Sequence, residues 1–197
     1  MARSWSIWAW SCGVLLLAAC ATAPPRPSVG LPWPQSRAHL QSLERFTLKG
    51  RVGVAAGNEG FSAGLEWQQQ GARSELALNG PLGVGGVRID AEGEQLRVRN
   101  SRGQVLDSDA ARQELEQRLG FDPPLMSLRY WVLGVPDPAT PATETLGSDQ
   151  RLAALEQDGW HISYGAYTAS GSEQLPQRIT LQRGNVRVKL VVSQWQA

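Results

Sequence analysis

Two cysteines and two histidines are all that this chain of 197 residues offers to thiol or imidazole chemistry. The cysteines, Cys12 and Cys20, both stand near the start, which excludes a disulfide framework for a folded body. The histidines, His39 and His161, lie far apart and in no metal-ligand spacing, so no zinc motif is present. An excess of one charge is also missing. Nineteen Lys and Arg meet eighteen Asp and Glu, and a formal net charge of +1 is not the footprint of a nucleic-acid binder. No apolar run reaches the ~20 residues that a membrane-crossing helix needs. There is no G-x-S-x-G elbow and no H-E-x-x-H. The glycine-rich stretch Gly80 to Gly86 lacks a phosphate-binding Lys and no helical pattern follows it. These absences leave no recognisable catalytic, cofactor or metal motif, although carboxylates far apart in sequence can still meet in space.

What remains is apolar and rich in one aromatic residue. Hydrophobic residues make up 42% and charged residues 19%, enough for one domain with a true core and far from a disordered composition. Eight Trp against three Phe and three Tyr suit apolar walls with a polar edge. The first segment is an address. Arg3 precedes the mostly apolar run Ile7 to Ala19, which ends in Leu17-Ala18-Ala19-Cys20. That resembles a bacterial lipoprotein signal, with residues 1–19 removed and Cys20 carrying the lipid. Ala21 follows the Cys, where Asp is the residue associated with inner-membrane retention, so by analogy the anchor lies in the outer membrane. Residues 20–34 hold Pro24, Pro25, Pro27, Pro32 and Pro34 and read as an extended tether. Residues 35–197 are then a single domain.

That domain alternates with period two. Phe46 to Val54 alternates; Phe61, Ala63, Leu65 and Trp67 share one face of a strand; Leu76 and Leu78, Val87 and Ile89, and Leu96 and Val98 repeat the pattern. Ile179, Leu181, Val186, Val188, Leu190 and Val192 close the chain in the same way. Turn residues at Gly71, Glu92-Gly93, Ser101-Arg102-Gly103, Asp158-Gly159 and Gly184-Asn185 favour an antiparallel meander. His161 falls on the polar side of a strand from Trp160 to Tyr164. A short helix is expected within Gln35 to Arg45. Two more are expected in the middle: Ala110 to Leu119, capped by Asp107, Ser108 or Asp109 and stopped by Gly120, and Leu125 to Leu133, opened by Pro124 and stopped by Gly134. Strands, helices, then strands again is a layout in which helices cover the open side of a curved sheet.

Two features stand apart from simple packing. Asn79-Gly80-Pro81-Leu82-Gly83 reads as a turn between strands with Leu82 at its tip, either a leucine folded back onto the core or an apolar probe that touches a membrane or partner. Arg88, Arg97 and Arg99 either form a basic face or are ordinary solvated strand residues.

The chain resembles the LolB family of outer-membrane lipoprotein receptors. The resemblance is carried by Gly50-Arg51, Trp67-Gln68-Gln69, Pro81-Leu82-Gly83, Pro124-Leu125, Ser127-Leu128-Arg129 and Trp131 to Pro136. It continues through Trp160, Tyr164-Gly165, Leu175-Pro176, Val188-Lys189-Leu190 and Trp195. The blocks keep their order from Trp33 to Trp195; each is short, and together with the lipoprotein signal they are specific. The resemblance implies an incomplete antiparallel β-barrel, a half-barrel, with a helical lid over a hydrophobic cavity. It implies that a monomer takes lipoprotein cargo from the periplasmic carrier LolA and inserts it into outer-membrane lipid without ATP. Added to the absent motifs, it makes no enzyme, no cofactor and no metal the expectation. Leu82, flanked by Pro81 and Gly83, then becomes the membrane-insertion loop. The dry faces become the acyl-chain cavity: Leu65, Trp67, Leu76, Leu78, Ile89, Leu96 and Val98, with Leu128 and Trp131 from the lid. Two other functions stay open on the residues alone: a structural lipoprotein bracing an envelope complex, and a lipoprotein enzyme acting on the cell wall.

Overall fold

The punctuation of the sequence by turn residues is where its strands reverse. In the computed structural model, which describes residues 31–80 and 86–197, a short helix α1 (Trp33–Gln41) leads into six strands. These are β1 (Arg45–Ala56), β2 (Glu59–Gln70), β3 (Arg73–Asn79), β4 (Val87–Glu92), β5 (Gln95–Arg99) and β6 (Val105–Asp107). Helices α2 (Ser108–Leu119) and α3 (Leu125–Trp131) follow. The second strand block is β7 (Ala142–Leu146), β8 (Leu152–Gln157), β9 (Trp160–Tyr164), β10 (Tyr167–Ser170), β11 (Glu173–Pro176), β12 (Arg178–Arg183) and β13 (Val186–Gln196).

Eleven of these strands form one antiparallel sheet in the order β6-β5-β4-β3-β2-β1-β13-β12-β9-β8-β7; β10 and β11 pair separately as a hairpin. The first and last strands of the large sheet's chain path, β1 and β13, zip together at its centre, so the two blocks become one curved surface. Gly50 permits this. The β1–β13 register shifts between Lys49 and Gly50, and a Cβ on Gly50 would collide with the Val191 carbonyl oxygen. The Asp158-Gly159 turn joins β8 to β9 with both residues at positive φ, 52° and 74°, the geometry a tight hairpin requires.

The sheet is left unclosed, with β6 and β7 as its edges. Those edges flank α2 and α3 in sequence, so the connection from one to the other crosses the open side and the helices fill it. Register lines up the dry faces. Trp195, Leu48, Trp67, Leu76, Ile89, Val98 and Leu106 are successive cross-strand partners over seven strands, and Val192, Gly50, Leu65, Leu78 and Val87 make a neighbouring row. Nearly all of them belong to one apolar interior.

The helices differ in detail from expectation. α1 begins at Trp33 because Pro32 caps it and Pro34 sits in its first turn, where a missing N–H costs nothing; it stops before Arg45, which already pairs in β1. α2 keeps its predicted end: Gly120 adopts φ 76° and its N–H donates to the Glu116 carbonyl at 2.8 Å. Its expected side-chain cap is absent at Asp107, the N-cap residue. The Asp107 carboxylate instead accepts from Arg97 Nε at 2.7 Å, a cross-strand partner on β5. α3 ends at Trp131, two residues short of the expected Leu133, and the chain turns through Gly134 at φ 78°.

Candidate functional site

The concave interior and its helical cover form the candidate site. Every wall residue read from the sequence faces this interior: Leu65, Trp67, Leu76, Ile89, Leu96, Val98 and Trp131 are buried in the common core, and Leu78 and Leu128 are half-buried against it. An apolar pocket of about 300 Å³ opens between β2, β3, β4 and α2. Its walls are Phe61, Ala63, Leu78, Val87, Leu115 and Leu119, with Arg118 and Gly80 at the margin. Leu78 alone of the predicted wall residues lines it. Phe61, Leu115 and Leu119 were not singled out in advance. The signal for the two leucines was present, since Ala111, Leu115 and Leu119 repeat every four residues and all three are buried. Three wider depressions, of about 350, 390 and 420 Å³, lie elsewhere, and each carries ionic or amide groups in its lining: Arg45 and Gln68, Glu156 and Asp158, or Lys49 and Gln194.

The two helices are held in different ways. α3 is fastened by hydrogen bonds to both halves of the sheet. Arg129 Nη1 donates to the Gly71 carbonyl in the β2–β3 turn at 2.9 Å. That turn is itself stapled by buried Gln69, which accepts from Trp67 Nε1 at 3.1 Å and Ser74 Oγ at 2.6 Å and donates to Gly71 O at 2.9 Å. On the other side, Trp131 Nε1 donates to Gln157 Oε1 on β8 at 2.7 Å, and Tyr164 Oη on β9 donates to the Trp131 carbonyl at 3.0 Å. Ser127 Oγ donates to Asp137 at 2.8 Å. Gln157 completes the latch by accepting from Asp137 N–H and donating to the carbonyls of Asp137 and Thr140. Trp67, Gln69, Ser127, Arg129, Trp131, Asp137, Gln157 and Tyr164 thus form one fastening, and most of them lie in the short sequence blocks that carried the resemblance.

α2 has no such fastening. Its N-cap residue Asp107 is held by Arg97, but among the described residues no side-chain hydrogen bond or ion pair joins Ser108–Leu119 to the rest of the fold; the pairs Arg118–Glu114 and Arg112–Asp109 are internal. It rests on the sheet through Ala111, Leu115 and Leu119. Burial of Tyr164 pushes its hydroxyl well above the ordinary tyrosine pKa, and burial does the same to Tyr167 against the opposing pull of Arg151. The indole N–H of Trp160 is buried without a partner, and it is the one buried side-chain polar atom in that state among the described residues. Its ring packs against Phe121 and Trp131, with the Arg183 guanidinium 4.6 Å from its centre. No group of three or more His, Cys, Asp or Glu among the described residues is placed to hold a metal. Cys20, Pro81, Leu82 and Gly83 lie outside the described residues.

Residues 44–195 match the family model described as outer membrane lipoprotein LolB. The chain belongs to the LolB family. LolB of Stutzerimonas stutzeri is 33% identical over 190 residues, covering 94% of this chain and 92% of that protein. LolB of Pseudomonas putida strain KT2440 is 36% identical over 190 residues, covering 93% and 92%. Both carry the description outer-membrane lipoprotein, and membership in the LolB family makes this chain an outer-membrane lipoprotein of the lipoprotein-sorting pathway. Among solved structures, a LolA superfamily protein from Nitrosomonas europaea superposes with a TM-score of 0.55 at 13% identity, over 85% of this chain and 94% of that one. At that identity the likeness establishes the fold alone, which this chain shares with that LolA superfamily protein.

Proposed function

We propose that this LolB-family chain is the outer-membrane receptor that accepts lipoproteins from the soluble carrier LolA and delivers them into the outer membrane. The acyl chains lie against the apolar concave face while α2 moves aside. The observation that carries this is the purely apolar seating of α2 beside a fastened α3. Two leucines and an alanine are worth about 5 kcal/mol of burial at ~0.8 kcal/mol per methylene and ~1.5–3 per large side chain. Three acyl chains, on the order of 45 methylenes, would cost roughly 35 kcal/mol to expose to water on the same scale. Cargo must therefore pass between apolar containers and never through water, and its contact with the concave face has to offset only the loss of the α2 seating. A 300 Å³ pocket is at the lower end of ligand sites, so the space for cargo comes from displacing α2 and not from a standing void. The free N–H of Trp160 would give an acyl ester carbonyl a hydrogen-bond donor inside that interior.

Delivery needs no bond-making step and no nucleotide, only a descending series of affinities from carrier to receptor to bilayer. In this reading Cys20 bears the anchor, and Leu82, between Pro81 and Gly83, enters the membrane. The test is transfer of a labelled lipoprotein from purified carrier to the chain without its Cys20 anchor. Transfer without ATP supports the receptor; retention by the carrier while the chain is folded refutes it. Leu82→Glu is expected to keep acceptance and lose delivery, and normal delivery by that variant would remove the loop from the mechanism. The close packing of Leu65, Trp67, Leu76, Ile89 and Val98 favours one rival, a static lipoprotein that braces an envelope complex. That rival binds no acyl chain, so the same transfer experiment separates the two.

A further inference from the structure

The three outer-face arginines noted in the sequence have unequal surroundings. Arg97 is neutralised, with its Nε 2.7 Å from Asp107. Arg88 and Arg99 are not: they are direct cross-strand partners on β4 and β5, both exposed, and neither makes an ion pair among the described residues. Like charges directly opposite each other on a sheet are destabilising. The nearby acids already have cations, Arg73 being shared between Glu75 at 2.8 Å and Asp90 at 3.5 Å and Lys49 lying 3.5 Å from Glu66. The remaining neighbours of the pair across the sheet are apolar, Ala77 beside Arg88 and Val105 beside Arg99, and Val105 is 43% exposed. Exposed Arg51 on β1, opposite Gly64 and so in line with Asn79, adds a third cation without an ion pair at the same end of the strands. This end is where β3 and β4 meet the segment Gly80 to Gly86, which contains Leu82 and no acidic residue.

We propose that the outer face around Arg88 and Arg99 docks the body of the protein on an anionic phospholipid surface, at the end of β3 and β4 from which the sequence runs on to Leu82. The proposal rests on the reading that Leu82 meets the membrane, and it adds an orientation: the β4–β5 corner faces the headgroups. Charge complementarity accounts for the retained repulsion between two arginines, because a sheet of phosphate groups neutralises both and leaves Val105 at the headgroup level. An acidic protein surface would satisfy the charges equally but would not account for exposed Val105 beside them or for the acid-free sequence from Gly80 to Gly86 that joins β3 to β4.

The test uses the chain from Ala21 to Ala197, which lacks the lipid anchor and retains the compact unit Leu31–Ala197. Its partition is measured by co-sedimentation with phosphatidylcholine vesicles and with vesicles of equal parts phosphatidylcholine and phosphatidylglycerol. Binding is expected to favour the anionic vesicles and to weaken with salt. Each arginine near a charged surface contributes about fivefold, so Arg88→Gln with Arg99→Gln should lower the partition coefficient about 25-fold. Arg97→Gln, whose charge Asp107 already neutralises, should change it less than about twofold. Thermal unfolding of the double variant is expected at or above the parent temperature, since a like-charge pair is gone. Unchanged vesicle binding by the double variant overturns the proposal, as does an equal loss in Arg97→Gln. Acceptance of cargo from the carrier, measured without vesicles, reads the receptor function separately and should be unchanged. If the double variant instead loses acceptance while vesicle binding persists, the arginines dock an acidic protein and the membrane orientation is wrong.

Discussion

Replacing Gln157 by leucine should unfasten α3 and cost about 3–6 kcal/mol. Gln157 is 3% exposed and uses both ends of its amide. Its oxygen accepts from Trp131 Nε1 at 2.7 Å and Asp137 N at 2.9 Å; its nitrogen donates to Asp137 O at 2.7 Å and to Thr140 O at 2.9 Å. Leucine fills the volume and satisfies none of these. Thr140 is partly exposed and can turn to water, which leaves three buried groups, each costing ~1–3 kcal/mol when orphaned. The added apolar burial offsets a small part. Against a typical total of ~5–15 kcal/mol, this is a large fraction, equivalent to a fall in melting temperature of about 10–20 °C for a domain of this size. Urea unfolding of Gln157→Leu should show the midpoint falling with an unchanged slope. Gln157→Glu separates the two ends of the amide. It keeps an acceptor for Trp131 and Asp137 N–H but sets a carboxylate against two carbonyl oxygens. Its folded pKa is therefore raised above the unfolded value, so its stability is greatest below ~4.3 and is lost as pH rises through the folded pKa. The defect in Gln157→Glu should shrink on acidification relative to parent. If Gln157→Leu unfolds within about 1 kcal/mol of the parent, the latch does not hold α3 and the contrast between the two helices fails.

Two further outcomes follow from the same contrast. Leu115→Ala should lower stability by about 2–5 kcal/mol and speed uptake of labelled lipoprotein from the carrier, because α2 has no polar fastening to compensate; unchanged uptake with lowered stability would mean that α2 does not gate the interior. Tyr164→Phe should cost about 0.5–1.5 kcal/mol at neutral pH by removing one of the two hydrogen bonds to the Trp131 carbonyl, which still accepts from Gly134 N–H. The parent's raised Tyr164 pKa supports the fold fully below ~10 and ceases to do so as pH climbs through the folded value, so the variant should show a shallower alkaline loss of stability. Parallel alkaline profiles would show that Tyr164 is not the group being titrated.

Much of the site was legible because strand periodicity survives any rearrangement of strand order. Trp67, Leu76, Ile89 and Val98 are inward in any antiparallel pairing that keeps their alternation, and here they become consecutive partners in one row. Leu115 and Leu119 were visible as a helical face but not as pocket walls, since nothing local says which strand a helix will meet. β8 was missed for a different reason. Leu152-Ala153-Ala154-Leu155-Glu156-Gln157 is made of good helix formers, and pairing with β9 across the Asp158-Gly159 turn overrides that preference. Asp107 looked like a helix cap, and only the arrival of β5 beside β6 offered its carboxylate a better partner in Arg97.

The sequence by itself determined the faces of the strands it revealed, the turns at Gly71, Gly93, Gly103, Asp158-Gly159 and Gly184, and the two central helices. Each of these depends on neighbours within a few residues, through periodicity, turn conformation or a helix stop. The tertiary structure alone decided that β1 and β13 zip the two blocks into one sheet, that the sheet stays unclosed, and that α3 is bolted while α2 only rests. It also decided that Arg97 is neutralised while Arg88 and Arg99 face each other. These depend on register between strands far apart in the chain, where a shift of one residue would turn every dry face outward and every pairing into a different one.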